Sequence, residues 1–248
     1  MKKKLITVAA TILLCFDMVA QTFMYVKQKD GSVIKYDVDS VSLITYTASE
    51  VSVDNNVYID LGLPSGTLWA NCNLGAEKPN ETGDYYSWGE TSIKDYYEWE
   101  SYKWSDGDYI KMSKYCSEKD KKVVLDPEDD VVTVVRGAGC QIPTMEQWHE
   151  LIANCQSSWI EYDGVFGCKF LAKNAAWIFL PACGMKYMND VTGTNGVYWS
   201  SNRSLYDSDN DARGYDIAEN GFQKDEADIS VVTIRRYYGC LIRPVKVK

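Results

Sequence analysis

From Gly83 to Tyr115 the chain carries ten aromatic side chains: Tyr85, Tyr86, Trp88, Tyr96, Tyr97, Trp99, Tyr102, Trp104, Tyr109 and Tyr115. No period runs through them. A helix repeats its apolar residues about every 3.6 positions, and a half-buried strand every second one. Glycines and acids interrupt both patterns here. The run therefore predicts a long, ordered, loop-rich excursion. Its rings pack on one another, and each polar tip reaches water or backbone. A stacking surface for sugars or peptides is the alternative use of the same rings.

Ahead of that excursion stands Val57 to Ala76. Tyr58, Ile59 and Leu61 signal a short strand, Pro64-Ser65-Gly66 a turn, and Thr67 to Ala70 a second strand that ends before Gly75. This stretch opens a domain built on antiparallel sheet. The clearest helix begins at Thr144, a natural N-cap whose capping box is completed by Gln147, after Pro143. Trp148, Leu151, Ile152 and Cys155 give it one apolar face, and His149 falls off that face. Ala176 to Leu180 predicts a central strand, stopped by Pro181 and Gly184. Val197 to Trp199, Ile229 to Ile234 and Leu241 to Val245 supply the closing strands, with a polar loop from Asn202 to Arg213 between them.

Residues 1–20 have the pattern of an export signal. Lys2 to Lys4 are basic, Leu5 to Phe16 are apolar, and Ala20 suits cleavage. The apolar run is short for a membrane span, and no later stretch is long and apolar enough to make one. Cys15 opens the alternative of a lipidated exported chain, although Leu14 before it is bulky for that processing. Loss of three lysines and Asp17 with this segment takes the net charge from −9 to −11. So acidic a chain repels phosphate backbones and anionic lipid surfaces, which argues against nucleic acid as a partner.

Residues 21–48 predict a small β-hairpin or meander. Met24 to Val26 and Val33 to Tyr36 flank Lys29-Asp30-Gly31, and Val41 to Thr45 is a candidate third strand. A meander of this size leans on the main domain or on another chain. Residues 49–56 are a polar linker, and residues 57–248 form the main domain. Seven cysteines remain after residue 20, an odd number with no CxxC spacing, and there is a single histidine. A structural zinc site has little support on that basis, and isolated buried thiols are the plain reading. Leu125 to Asp130 is the densest acidic cluster, either a solvated turn or a holder of a hard cation.

Taken in order, these motifs resemble the Fibrobacter succinogenes major paralogous domain family, abundant in exported proteins of gut Bacteroidetes. The matching residues are Asp60 to Ala70, Cys72 to Ala76, Gly83 to Glu90, Lys114 to Cys116 and Glu128 to Asp130. They continue with Pro143-Thr144, Glu146, Trp148, Glu150-Leu151 and Cys155, then Ile178 to Ala182, Gly184, Tyr198 to Ser201 and Arg243 to Val245. The likeness covers residues 57–247. It implies an α+β fold of C-type-lectin-like kind, related to formylglycine-generating-enzyme-like domains. In such a fold a mixed or antiparallel sheet carries one main helix and long ordered loops. It also implies that Val57 to Leu61 lies beside Leu241 to Val245. Cys140-Gln141-Ile142 departs from the family pattern before Pro143, and Cys168, Cys183 and Cys240 stand where relatives carry other residues. These departures set a family disulfide scheme aside and leave two readings, an extra bridge or small buried side chains.

The expected function is that of a non-catalytic binding module, on the cell surface, in the periplasm or secreted, that recognises an extracellular glycan or protein through its loops. The candidate binding residues are Tyr206, Asp207, Asp209, Asn210, Asp211, Arg213, Tyr237 and Tyr238, a mixture of polar and aromatic groups suited to adaptable recognition. No catalytic residue, metal ligand or cofactor is expected. Calcium is the lesser alternative at Asp207 to Asp211, because Ala212 stands where an EF-hand loop needs glycine. Two other functions remain: a structural or assembly subunit of a surface appendage, joined by edge pairing of the N-terminal hairpin, and a hydrolase working through paired carboxylates.

Overall fold

The computed structural model describes residues 23–27, 33–37, 57–105, 112–204, 211–219 and 227–247. The chain divides into two units, residues 1–53 and 54–248. In the first unit β1 (Phe23–Lys27) pairs antiparallel with β2 (Val33–Asp37), Tyr25 opposite Lys35. This hairpin follows the sequence expectation. The candidate third strand, the linker and residues 1–20 lie outside the described residues.

Among its described residues the second unit is mostly antiparallel sheet with two α-helices. Its four-stranded sheet joins β3 (Tyr58–Ile59), β4 (Leu68–Ala70), β5 (Cys140–Gln141) and β14 (Val245–Lys246). Their order in space is β3-β4-β14-β5. The start and end of the unit thus share one sheet, but not as expected. Strand β4 comes between β3 and β14, pairing Ile59 with Trp69 and Trp69 with Val245. The tight turn at Leu63–Gly66 explains the order, since it folds β4 directly back on β3.

Helix α1 (Val131–Arg136) forms from β-branched residues that favour strands in isolation. Asp130 Oδ1 caps it by accepting from Val132 N and Thr133 N, Gly137 ends it, and Val131 and Val132 are buried. Capping and burial override propensity. Helix α2 (Met145–Asn154) has Thr144 and Gln147 in the expected capping box. It buries Met145, Trp148 and Leu151, and the Trp148 ring meets Trp69 edge-on at 4.9 Å.

A three-stranded sheet follows in the order β6 (Cys155–Tyr162), β7 (Val165–Ala172), β8 (Trp177–Pro181). The run Trp177–Pro181 is therefore an edge strand of its ladder rather than a central one. It is apolar because Ile178, Phe179 and Leu180 are buried in the core, not because strands flank it on both sides. A small hairpin, β9 (Met185–Tyr187) and β10 (Asp190–Thr192), leads to the last sheet. That sheet comprises β11 (Gly196–Arg203), β12 (Asp211–Glu219) and β13 (Ala227–Arg235), with β12 central. The expected polar loop is correspondingly shorter. Asn202 and Arg203 end β11, and Asp211 to Arg213 begin β12. Backbone pairing to two neighbours makes β12 a strand although its sequence lacks apolar alternation.

The loop-rich region has the predicted character among its described residues. Isolated bridges and one 3-10 turn (Trp99–Ser101) are its only regular structure there. Trp88 Nε1 donates to Ser200 O at 2.9 Å, Tyr97 Oη to Tyr85 O at 2.7 Å and Tyr102 Oη to Trp88 O at 2.8 Å. Tyr85 Oη bonds Cys183 O. Buried rings with satisfied tips hold this segment in place of a strand ladder. No helix among the described residues is long and apolar enough to cross a membrane.

Candidate functional site

The register of the last sheet locates the expected binding residues. Arg203 pairs with Ala212, and Asp211 pairs with Arg235. The β11–β12 connection and the turn after β13 therefore leave from one end of the sheet. Asp211 and Arg213 stand at that end on β12, opposite Arg235 and Thr233. Tyr206, Asp207, Asp209 and Asn210, with the lesser calcium reading of that segment, lie outside the described residues.

Tyr237 and Tyr238 occupy the turn after β13 and are the two expected residues that come together. Their ring centroids are 4.7 Å apart. Trp99 meets Tyr237 edge-on at 4.6 Å, and Tyr187 meets Tyr238 edge-on at 5.3 Å. Tyr237 is buried at the base of this group, while Trp99, Tyr187 and Tyr238 are half-buried around it. Three segments distant in sequence, a 3-10 turn, the end of β9 and the turn after β13, thus build one aromatic cluster. Burial, then the hydrogen bond with Tyr238, pushes the Tyr237 phenol up. Tyr187 is hydrogen-bonded to Glu98, which raises its phenol, so both are neutral donors at physiological pH.

The turn that carries the two tyrosines is fixed from behind. The fully buried Arg236 guanidinium donates to Tyr115 O at 2.8 Å and lies 4.8 Å from the Trp88 ring centre. Ser87 Oγ donates to Tyr237 O at 2.8 Å. Gly239 closes the turn where a Cβ would come within 2.6 Å of the Tyr97 ring, so no larger residue fits unless that ring moves. Trp99 is set by the capping box of Glu98 and Ser101. Sequence reasoning missed Trp99, Glu98 and Tyr187 as members of this site. Trp99 lay within the aromatic run that was read as packing, and nothing local distinguishes Tyr187.

The acidic cluster is filled by the chain's own cations. Carboxylate oxygens of Asp126, Glu128 and Asp129 lie within 4.8 Å of one another. Lys114 Nζ sits 2.6 Å from both Asp126 and Asp129 and 3.5 Å from Glu128. Lys103 adds a contact to Asp129 at 3.0 Å, and Tyr115 Oη donates to it at 2.7 Å. Burial pushes Asp129 up, but Lys114, Tyr115 and Lys103 outweigh it and hold the carboxyl below its usual range. An acid so stabilised as the anion is a poor proton donor at neutral pH. Asp130 is the opposite case, raised by burial to about 6. Its oxygens accept from Val132 N, Thr133 N and Ile142 N, which commits the side chain to structure. Neither arrangement favours the paired-carboxylate hydrolase. His149 is exposed on α2.

All seven described cysteines are unpaired: Cys72, Cys116, Cys140, Cys168 and Cys240 are buried, and Cys155 and Cys183 are partly buried. Comparison of the chain with models of protein families, with characterised proteins and with solved structures finds no match.

Proposed function

We propose that the chain is an exported, non-catalytic binding module of C-type-lectin-like kind, a member of the family that its motifs resemble. Its binding face is the end of the sheet where Trp99, Tyr187 and Tyr238 surround Tyr237. The observation that carries this reading is the cluster itself: half-buried rings with phenol donors, drawn from a 3-10 turn, strand β9 and the turn after β13, with that last turn set rigidly by Arg236 and Gly239. Rigid amphipathic side chains make large contacts at small entropic cost, which suits a glycan or protein surface. The placement of β4 and β14 in one sheet supports the fold assignment, since it joins both ends of the domain.

The test is binding of the full chain to a glycan array and to extracellular proteins, with and without chelator. Tyr238→Ala and Tyr187→Ala are each expected to weaken binding at least tenfold without lowering the melting temperature appreciably. Binding that survives both changes would discard this face. A second reading, assembly through edge pairing, is favoured by the two-stranded β1–β2 hairpin, which is marginal without a neighbour. Deleting residues 21–48 separates the two, since it abolishes assembly under the second reading and spares ligand binding under the first.

A further inference from the structure

Where a carboxylate stands among aromatic rings in this chain, a cation completes the group. Lys94 Nζ lies 5.4 Å from the Tyr97 ring centre and 5.7 Å from that of Tyr102, and it meets the Glu90 carboxylate at 2.9 Å. Lys114 Nζ lies 4.9 Å from the Tyr115 ring centre and 5.3 Å from that of Trp104, with Asp129 at 2.6 Å. Each ammonium is held by two ring faces and a carboxylate. The cause is electrostatic, since a ring presents a negative face and the carboxylate supplies the remaining countercharge.

Glu98 forms a third group of this kind, on the aromatic face. Its half-buried carboxylate accepts from Trp99 N at 3.1 Å and from the Tyr187 phenol. Burial, then Tyr238, then the Glu98 charge raise the Tyr237 phenol, so the carboxylate also acts on the ring at the base of the cluster. Among the described residues no lysine or arginine pairs with Glu98 or lies over Trp99, Tyr187, Tyr237 or Tyr238. A carboxylate has roughly four acceptor positions, and these bonds leave about half of them open.

A ligand that covers this face takes water from Glu98, and a charge so desolvated is costly until it is paired. A neutral sugar can stack on the rings but leaves that cost standing, and an anion adds repulsion to it. A cation removes it. The net charge of −9 also draws basic partners toward the chain. Among cations a guanidinium suits the face best, because its plane stacks on a ring while its N–H fork reaches a carboxylate. Arg236 already lies in this way 4.8 Å from the Trp88 ring centre, behind the same turn. Resting on the aromatic cluster as the binding face, we propose that its ligand is a basic segment of a protein, which sets an arginine guanidinium on Glu98 and against the surrounding rings.

Saturation-transfer NMR on the full chain tests this with N-acetyl-arginine amide, with N-acetyl-citrulline amide as its neutral near-isostere, and with methyl glucoside. The arginine amide alone is expected to bind. Glu98→Gln keeps an acceptor for Trp99 N and removes the charge, and Tyr187→Ala removes a ring; each should weaken binding about tenfold or more. Glu100→Gln makes the same change in net charge at an exposed carboxylate nearby and should leave binding unchanged. In the unaltered chain, raising sodium chloride from about 0.05 M to about 0.5 M should weaken binding several-fold, a readout that no variant's folding can disturb. Equal binding of the citrulline amide, indifference to salt and to Glu98→Gln, or no binding of the arginine amide would overturn the proposal. Glucoside binding that is lost in Tyr187→Ala, with the arginine amide unbound, would overturn it and keep the aromatic face. Arginine-amide binding that is lost in Glu98→Gln but indifferent to Tyr187→Ala and Tyr238→Ala would overturn both.

Discussion

Arg243 is fully buried and donates to Asn73 Oδ1 at 3.0 Å, Ala70 O at 3.0 Å and Phe179 O at 2.7 Å. One planar cation thereby ties β4, the segment after it and β8 together. Lysine presents a single ammonium and cannot reach three oxygens so arranged, so Arg243→Lys should cost about 3 kcal/mol in urea denaturation. Asp130 makes a prediction about pH. Its carboxyl is raised in the folded chain from the ordinary 3.8 to about 6, so between those values the folded state binds more protons than the unfolded state. Its contribution to stability is full below the lower value and is lost as pH rises through the higher one. Carboxyl NMR should show Asp130 titrating near 6. Asp129 runs the other way, depressed in the folded chain, and its contribution is lost as pH falls. At this scale the sequence was legible for Tyr237 and Tyr238 as a pair, since adjacent tyrosines after an apolar strand are conspicuous. Their partners Trp99 and Tyr187 were not, because only the folded chain brings residues so distant in sequence into contact.

Among the elements, α2 was readable in full because its signals are local: a cap, a reciprocal partner three residues on and one apolar stripe. Thr144→Ala should cost about 1 kcal/mol, measured as a shift in the unfolding midpoint. Helix α1 was not readable, because its valines favour a strand until Asp130 and the core decide otherwise. The start of strand β12, Asp211 to Arg213, was taken for loop for the complementary reason: its polarity masks a ladder whose partners are β11 and β13. The β6–β7 hairpin carried a local signal that went unused. Asp163-Gly164 joins the strands with φ of 48° and 80°, a two-residue turn with both central residues left-handed. Gly164→Val should cost about 1–2 kcal/mol, since a β-branched residue resists that φ. The outward position of β8 was invisible because apolarity reports burial and not the number of paired edges.

For the molecule as a whole, the proposed export requires that the seven unpaired thiols of the described residues be kept from oxidation. Burial does this. It raises the Cys168 thiol to about 12 and Cys240 well above its ordinary value, and a thiol that stays protonated reacts slowly. An aromatic disulfide reagent should therefore modify Cys155 and Cys183 first, and the other five described cysteines only as the chain unfolds. Strand β14 lies between β4 and β5 although it follows both in sequence by more than a hundred residues. Ribosomes deliver residues in order, so the seam shared by these three segments can be sewn only after Val245 and Lys246 have been added. Until then β4 and β5 lack the strand that joins them, and neither has its full set of backbone partners.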